Sequence, residues 1–327
     1  RVPVGVVCAI TPFNFPLNLV CHKVGPALAA GNTVVLKPAL ATPVTAVKLC
    51  QVLLEAGLPP GHIQLLFGSG STVGEWLLEE EGIDFYTFTG SPAVGERIKA
   101  RTGLRRVTLE LGNNSAVIVH DDADLGLAAR LCAQRGFAHA GQTCISVQRI
   151  FVQQRVFDEF LSRLVDETGR LVVGDPLDEA TDVGPMIAEE EARRAEAWVR
   201  EAVEGGARLV VGGGRRGAVM EPTILTGVNP RMKVMCNEVF APVVSVVPYA
   251  TLDEAIAAAN DTRYGLQAGI FTSSLHVAWA AARRLRVGGV MINDTSSYRA
   301  DLMPYGGVKQ SGMGREGPRY AVEEMTE

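Results

Sequence analysis

The chain has 327 residues, of which 47% are hydrophobic and 20% are charged, and its formal net charge at pH 7 is -5. This balance excludes a disordered polar chain, and the net negative charge gives no basic surface for nucleic acid or anionic lipid. No apolar run approaches the ~18 residues of a membrane span, so neither nucleic acid nor a membrane is expected as a partner.

The first part of the chain alternates strand and helix signals. Short apolar runs rich in β-branched residues are separated by segments of helical spacing that end at glycines such as Gly31 and Gly57. This alternation predicts a parallel sheet covered by helices on both faces, with ligands bound beyond the carboxyl ends of the strands. The predicted strands are 2–10, 32–36, 63–67, 85–88 and 107–111, and the predicted helices are 17–30, 43–56, 73–80 and 93–101.

The remaining chain also reads as α/β. A helix is predicted over 124–138, where it leads to a turn at Gly141, and a strand rich in Ile and Val is predicted over 145–152. Later strands are predicted over 243–247, 269–272 and 287–292, and later helices over 187–204, 252–259 and 275–285. The helix over 187–204 carries three pairs at i,i+4 spacing, which favour a solvated face: Glu189/Arg193, Glu190/Arg194 and Glu196/Arg200.

Six cysteines are scattered through the chain without a CxxC pair. Their spacing argues against a zinc site and against a disulfide framework, so we expect free thiols in a reducing cytoplasm. The five histidines have no metal-ligand spacing, and no metal is expected. Because Arg1 is not an initiator and an apolar strand follows at once, we expect the sequence to be a fragment whose beginning is absent.

Cys144 lies in the joint between the helix over 124–138 and the next strand, within FAHAGQTCIS. A cysteine held there by rigid neighbours can face a cleft, which is where a nucleophile belongs. For a cysteine considered alone, a buried structural role is commoner, so the nucleophile interpretation depends on partners elsewhere in the chain. His139 leaves a cysteine hydrolase dyad as a disfavoured alternative, since no orienting partner lies nearby in sequence.

Polar side chains follow several of the predicted strands. Asn14 stands between two prolines, where its amide could donate to an oxyanion, although an ordinary turn asparagine is commoner in isolation. Lys37 ends a buried strand and Ser91 opens a helix, positions that suit ribose and phosphate, although a solvated strand-end lysine is the commoner case. Glu110 lies between two leucines of an apolar strand, where burial would raise its pKa toward that of a general base.

The segment GSGSTVG, residues 68–74, resembles the dinucleotide fingerprint GxGxxG because it follows a strand and opens a helix. Its third glycine is one residue late, however, and no acidic residue lies near position 90. A simple strand-to-helix turn is therefore at least as good an interpretation, and Gly70 and Gly74 are only candidate cofactor contacts.

Seven motifs occur in the order, and at about the spacing, seen in the NAD(P)-dependent aldehyde dehydrogenase superfamily: TPFNFP, AGNTVVLKP, FTGS, LELG, GQTC, EVFAPVV and MPYGGVKQSGMGREG. The chain resembles this superfamily along nearly its whole length. The resemblance implies a Rossmann-like parallel-sheet cofactor domain over 1–112, an α/β catalytic domain over 113–299 and a C-terminal segment over 300–327 that returns toward the cofactor domain. It also implies further segments at both ends and a homodimer or homotetramer in the full-length protein.

By this resemblance the chain oxidises a small-molecule aldehyde to a carboxylic acid with NAD or NADP. Cys144 would be the nucleophile, Glu110 the general base and Asn14 the amide of the oxyanion hole. The implied cofactor contacts are Thr11, Phe13, Lys37 at the adenosine ribose, Ser91 at the pyrophosphate, Glu238 at the nicotinamide ribose and Phe240 beside the nicotinamide. A coenzyme A-acylating dehydrogenase, which Glu110 disfavours, and a non-catalytic protein of the same fold are the alternatives.

Four positions depart from the family pattern. Leu40 stands where NAD-preferring relatives usually carry a glutamate, so NADP use is open. Phe13 replaces a tryptophan, Ala241 replaces a glycine, and Asn113 replaces the second glycine of the usual ELGG. The resemblance therefore implies NAD or NADP without a choice between them.

The stretch NDTSSYRADLM, residues 293–303, should line the aldehyde entrance in this family. Tyr298 and Arg299 suit a polar or anionic substrate tail. The stretch resembles that of relatives acting on small hydroxy- or phospho-aldehydes such as lactaldehyde or glyceraldehyde 3-phosphate. Alternatively, Arg299 pairs with Asp301 or Asp294 and never meets substrate.

Overall fold

The structure, a computed structural model, describes residues 1–327. The chain forms two compact units, called here the first unit (residues 1–112 and 299–327) and the second unit (residues 113–298). Arg299 belongs to the first unit, so the second unit ends one residue before the predicted end of the catalytic domain. None of the helices combines the length and the apolar character needed to cross a membrane.

The first unit opens with the predicted β/α alternation. Strand β1 begins at Val6 and not at Val2, because Val2 and Val4 donate backbone hydrogen bonds to Glu327 and Met325 at the end of the chain. The elements are β1 (Val6–Ile10), α1 (Asn18–Ala29), β2 (Thr33–Lys37), α2 (Pro43–Glu55), β3 (Ile63–Leu65), α3 (Glu75–Glu79), β4 (Phe85–Thr89), α4 (Pro92–Arg101) and β5 (Arg106–Glu110).

The turn before α3 differs from the prediction that a helix starts at Val73. Gly70–Gly74 forms a single π-helical turn, and the Ser69 side chain caps it by accepting a hydrogen bond from the Thr72 backbone at 3.1 Å. The segment is thus a capped strand-to-helix turn.

The second unit repeats the α/β layout with more elements than the sequence predicts. They are β6 (Ala116–Val119), α5 (Leu125–Phe137), β7 (Arg149–Gln153), α6 (Phe157–Gly169), α7 (Glu189–Glu204), β8 (Arg208–Val211), β9 (Arg215–Arg216), β10 (Val219–Met220), β11 (Thr223–Thr226), α8 (Lys233–Cys236), β12 (Val243–Tyr249), α9 (Leu252–Asn260), β13 (Gln267–Phe271), α10 (Leu275–Arg284) and β14 (Gly289–Ile292). The chain then re-enters the first unit with β15 (Gly312–Met313) and α11 (Pro318–Glu324).

The first unit contains a six-stranded sheet in the order β15-β5-β4-β1-β2-β3, parallel except for β15. Successive residues of β1 face opposite sides: Val7 packs with α1 and α2, whereas Cys8 packs with α3 and α4. The sheet is therefore covered on both faces, as predicted. Because the neighbouring strands are parallel, Thr11, Lys37 and Glu110 lie along one sheet edge, at the carboxyl ends.

The second unit contains a seven-stranded sheet in the order β14-β13-β6-β7-β12-β11-β8, in which only β8 is antiparallel to its neighbour. Strand β7 begins at Arg149 and not at Ile145. The Ile145 carbonyl accepts hydrogen bonds from the Ser296 and Ser297 hydroxyls at 2.9 and 2.7 Å and so lies outside the ladder. The joint that carries Cys144 is consequently longer than predicted.

The charged face of α7 is partly as predicted, with Glu189 and Arg193 paired at 2.6 Å. The predicted pairs Glu190/Arg194 and Glu196/Arg200 are wrong. Instead, Arg194 pairs with Glu191 at 2.8 Å and Glu196 pairs with Arg215 at 2.7 Å. The physical reason is tertiary: Arg194 also donates to the Val239 carbonyl, and Arg215 reaches α7 from β9.

Helix α5, which leads to Cys144, is capped by Asp124, whose Oδ1 accepts a hydrogen bond from the Leu127 backbone at 2.9 Å. Asp124→Ala should lower the free energy of unfolding by about 1 kcal/mol, because one backbone N–H loses its acceptor. Urea denaturation measures the change. Asp166→Ala, on the exposed face of α6, is the control and should leave stability unchanged; equal losses in both variants would contradict the capping role.

Candidate active site

The loop that carries Cys144 begins with a run of left-handed backbone. His139, Ala140 and Gly141 have φ values of 55°, 52° and 69°. Left-handed backbone costs a non-glycine residue roughly 1–2 kcal/mol, so surrounding contacts must stabilise this run. A side chain at Gly141 would overlap the backbone carbonyl of Ala241, so only glycine fits there. The chain is thereby turned sharply away from α5.

Hydrogen bonds then fix the loop on both sides of Cys144. The Ser146 hydroxyl donates to the Gly136 carbonyl at the end of α5 at 3.2 Å. The Gln142 side chain accepts from the Ile187 backbone at 2.9 Å, and the two serine hydroxyls described above hold the Ile145 carbonyl. Cys144 therefore sits on a short loop whose neighbours are anchored to three other parts of the second unit.

Cys144 is half-buried and lines an open cleft of about 220 Å³. Three of the other cysteines, Cys8, Cys50 and Cys132, are buried, and burial raises the pKa of the Cys8 thiol to about 12 and that of Cys132 further. Because the thiolate is the nucleophile, thiols buried in this way are inert. Cys144 is the one cysteine that lines the cleft, as a nucleophile requires.

Glu238 and Phe240 line the same cleft as Cys144. The Glu238 carboxylate accepts a hydrogen bond from the Asn113 backbone at 2.9 Å. Burial raises the pKa of Glu238 to about 7, although the Asn113 N–H and the charges of Arg194 and Arg263 act in the opposite direction. The second unit thus brings together Cys144, Glu238 and Phe240, which are far apart in sequence.

In the first unit, four predicted site residues lie at or just after the ends of parallel strands. Asn14 is buried in the loop after β1, and the Thr11 backbone donates to the Lys37 carbonyl at 3.2 Å, which joins the ends of β1 and β2. Burial lowers the pKa of Lys37. Ser91 is exposed at the N-terminus of α4. These side chains lie along the edge where ligands bind in parallel sheets.

The same edge fits a nucleotide. The buried hydroxyls of Thr11 and Thr89 have no hydrogen-bond partner within the chain. Open space surrounds the positions that a Cβ atom would occupy at Gly70 and Gly74, so their backbone is accessible to a ligand. Unsatisfied hydroxyls beside a helix N-terminus are groups that ribose and phosphate oxygens satisfy.

Glu110, at the end of β5, is 2% exposed, and neither of its carboxylate oxygens has a hydrogen-bond partner. Its pKa is raised well above the usual value, first by burial and then by repulsion from Glu316, although Lys23, Arg299 and Arg315 oppose the shift. A buried carboxyl without donors binds a proton more readily than an exposed one, as a general base must.

Sequence reasoning missed a buried ionic cluster around Glu316. The Glu316 carboxylate accepts from Lys23 at 3.0 Å and from Arg299 at 3.0 Å, and the His22 ring nitrogen Nδ1 lies 3.2 Å away. Burial opposes ionisation, but these neighbours hold the pKa of Glu316 well below its usual value. Lys23 could have signalled the cluster, because it occupies the apolar face of α1.

Arg299 is thus paired with Glu316 and lies 2.6 Å from His22, whereas neither Asp301 nor Asp294 pairs with it. Its guanidinium also stacks over the Tyr305 ring, 3.9 Å from the centroid. Tyr298, in the second unit, is 45% exposed. The expected pairing of Arg299 with Asp301 or Asp294 is wrong, because its carboxylate partner is Glu316, which lies in the later GREG motif.

One group of side chains, His120, Asp121 and Asp122, brings possible metal-ligand atoms within 4.8 Å of one another. The sequence spacing had not predicted this. The acids are engaged within the chain, since Arg155 donates to Asp121 at 3.2 Å and Thr272 donates to Asp122 at 2.7 Å. We assign no metal to this group.

The raised pKa of Glu238 predicts a pH dependence of stability. Because the folded state binds its proton more tightly than the unfolded state, Glu238 stabilises the fold at low pH and loses this contribution as pH rises to about 7. The Glu238→Gln variant should therefore gain stability relative to wild type between pH 5 and pH 8. Urea denaturation at both pH values measures the difference in the free energy of unfolding between variant and wild type.

The control for this prediction is Glu190→Gln, at an exposed position of α7. Its stability should follow that of the wild type at both pH values. A stability difference between Glu238→Gln and wild type that does not change with pH would contradict the half-buried, proton-binding environment of Glu238.

Comparison with known proteins gives matches along the whole chain. The model of the aldehyde dehydrogenase family matches residues 1–327. The 3-sulfolactaldehyde dehydrogenase of Priestia megaterium is 60% identical over 327 residues, which are 100% of this chain and 69% of the relative. The lactaldehyde dehydrogenase of Methanococcus maripaludis strain C7 is 43% identical over 329 residues, covering 99% of this chain and 70% of the relative.

A solved structure also matches the chain closely. The glyceraldehyde-3-phosphate dehydrogenase GapN of Methanocaldococcus jannaschii, complexed with NADP, superposes with a TM-score of 0.97 at 43% identity. The match covers 100% of this chain and 72% of that one. The two α/β units thus have the fold of a solved nucleotide-dependent dehydrogenase.

Proposed function

The chain belongs to the aldehyde dehydrogenase family, and on that premise we propose that its substrate is a small hydroxyaldehyde that carries an anionic group. The protein is an NAD(P)-dependent dehydrogenase that oxidises an aldehyde to a carboxylic acid, as the motifs predicted. The observation that carries the substrate proposal is the position of Arg299 in the buried ionic cluster around Glu316.

Cys144 is proposed as the nucleophile. Its sulfur, as thiolate, attacks the aldehyde carbon and forms a thiohemiacetal whose oxygen bears a negative charge. Hydrogen-bond donors must stabilise that charge, and the proposed donors are the Cys144 backbone N–H and the Asn14 side-chain amide. Loss of a hydride from the same carbon then leaves a thioester on the Cys144 sulfur.

Glu110 is proposed as the base of the second half-reaction. Its carboxylate takes a proton from water, the resulting hydroxide attacks the thioester, and the Cys144 thiolate leaves as the carboxylic acid is released. The burial of Glu110 and its raised pKa support this role, because a carboxylate whose pKa is raised is a stronger base than one in water.

The chemistry that NAD(P) supplies when bound is acceptance of the hydride. The residues proposed to hold it are those that the motifs implied. Thr11 and Ser91 offer hydroxyls, and Gly70 and Gly74 offer accessible backbone. The full set is Thr11, Phe13, Lys37, Gly70, Gly74 and Ser91 in the first unit and Glu238 and Phe240 in the second.

The substrate class follows from charge. Lys23, Arg299 and Arg315 surround two buried carboxyls, of which Glu316 is ionised and Glu110 has a raised pKa, so positive charge is in excess. Glu316 fixes the guanidinium of Arg299 through Nη2, and the buried Nε has no hydrogen-bond partner within the chain; the proposed anionic group of the substrate would accept this bond. Relatives at 60% and 43% identity are named for 3-sulfolactaldehyde and lactaldehyde, and Tyr298 is proposed to contact the same substrate.

Arg299→Gln should raise KM for 3-sulfolactaldehyde and glyceraldehyde 3-phosphate by about tenfold, because one charge-assisted hydrogen bond is lost. KM for the neutral lactaldehyde should change little. The measurement is the initial rate of reduced-cofactor formation, with NAD and NADP compared. Arg319→Gln, at the exposed Glu323 pair of α11, is the matched control. Equal effects on charged and neutral aldehydes would reject an anion-binding role.

Glu110→Gln should keep a first burst of reduced cofactor while steady-state turnover falls at least ~100-fold, because the thioester forms but is hydrolysed slowly. Stopped-flow absorbance at the reduced-nicotinamide band separates the two phases. Cys144→Ser should lose the burst as well. A Glu110→Gln enzyme with normal turnover, or with no burst, would exclude Glu110 from deacylation.

We further propose that the protein works in the cytoplasm as a homodimer or homotetramer. The six cysteines are all free, which fits a reducing compartment. Large apolar side chains such as Leu104 and Trp76 are exposed in the single chain, as is common at subunit contacts. Light scattering coupled to size-exclusion chromatography would test the assembly, and a monomer at micromolar concentration would reject it.

A further inference from the structure

We propose that Gln148 is a positioning residue that fixes the segment carrying Glu238 relative to the thiol of Cys144. The carrier segment is defined here as residues 234–240. This inference rests on the proposed roles of Cys144 and Glu238, and it concerns contacts within the second unit alone. No motif of the sequence pointed to Gln148.

The Gln148 side chain makes three hydrogen bonds, all of them to the carrier segment. Its Nε2 donates to the carbonyls of Val234 at 3.1 Å and Asn237 at 2.7 Å. Its Oε1 accepts from the backbone N–H of Val239 at 3.1 Å. The bonded residues therefore lie on both sides of Glu238, and one planar amide fixes the backbone conformation between them.

Gln148 is also close to Cys144 in sequence and is itself held in place. It is 6% exposed, lies four positions after the cysteine, and its own carbonyl accepts from the Ser245 backbone of β12 at 2.8 Å. At the other end of the cysteine loop, the Gly141 backbone abuts the carbonyl of Ala241. The chain is thus held against the cysteine loop on both sides of Cys144, by the carrier segment at Gln148 and by the next residue, Ala241, at Gly141.

Other side chains also hold the carrier segment. Arg194 of α7 donates to the Val239 carbonyl at 2.8 Å, and Arg263 donates to the Asn237 side chain at 2.9 Å. Asn114 donates to the Met235 carbonyl at 2.9 Å. These bonds shape the segment, whereas the side chain of Gln148 links it to the strand that follows Cys144.

The consequence concerns the alignment of two groups in one cleft. Cys144, Gln148 and Glu238 all line it. If Glu238 holds the nicotinamide ribose, its distance from the Cys144 sulfur decides whether the carbon to be oxidised meets the hydride acceptor. Small displacements of such groups cost large factors in rate, so a side chain that sets this distance affects the reaction without touching the substrate.

The test uses Gln148→Met, which keeps the length of the side chain and removes all three hydrogen bonds. The matched control is Gln153→Met at the end of β7, the strand that Gln148 directly precedes: Gln153 is also 6% exposed and bonds to backbone at Ala250 and Arg155, outside the cleft. Two quantities are measured for each protein, the Kd for NADP by fluorescence titration and the rate of Cys144 alkylation by iodoacetamide without cofactor.

We expect Gln148→Met to raise the Kd for NADP by about tenfold, because the carrier segment loses its fixed course. The alkylation rate should change by less than about twofold, because the bonds that hold the Cys144 loop are intact. Gln153→Met should leave both quantities unchanged even if both variants melt at lower temperature. An unchanged Kd in Gln148→Met, or an equal rise in Gln153→Met, would overturn the inference.

Glu238→Gln separates this inference from the proposal on which it depends. If Glu238→Gln binds NADP as the wild type does, the proposed role of Glu238 fails, and the inference fails with it. If Glu238→Gln binds NADP weakly while Gln148→Met binds normally, only the positioning role of Gln148 is rejected.

Discussion

The second unit depends on one close approach, that of the Gly141 backbone to the carbonyl of Ala241. No side chain fits between them, so position 141 must be glycine. The chain after α5 reaches this position through left-handed backbone at His139 and Ala140. The approach places the loop that carries Cys144 against the segment that carries Glu238 and Phe240. A single steric constraint thereby gathers residues that are about a hundred positions apart in sequence.

In the first unit, the corresponding constraint is electrostatic. Two buried carboxyls lie in one neighbourhood, and their surroundings drive their pKa values in opposite directions: Glu316 is surrounded by cations, whereas Glu110 has no donor. Such separation gives one group a fixed charge and leaves the other available for proton transfer. The cluster that stabilises Glu316 also immobilises Arg299, so acid–base chemistry and anion recognition draw on the same buried charges.

Much of the fold could be predicted from the sequence because its signals are local. Apolar runs and glycine-terminated helical segments predicted the strands and helices of the first unit. The predicted family, fold class and use of NAD or NADP are confirmed. The start of β7 was predicted too early, because serines some 150 positions away bind the Ile145 carbonyl. No local pattern reports a partner at that separation.

The same limit applies to the site. Cys144, Glu110 and Asn14 stand in motifs and could be named, and their roles stay predictions. Gln148 and Glu316 could not be assigned a role, because what they do depends on partners from distant strands and helices. The partner of Arg299 was predicted wrongly for the same reason, because no local signal links Arg299 to Glu316, which lies in a later motif.

The central claim is that the sulfur of Cys144 carries the acyl group during turnover. The most direct measurement is acid quenching of the Glu110→Gln enzyme during its reaction with aldehyde and NAD(P), followed by mass spectrometry of the intact protein and its peptides. The account predicts one acyl adduct, located on the peptide that contains Cys144 and released by hydroxylamine. An adduct on another cysteine, or turnover without any adduct, would contradict it.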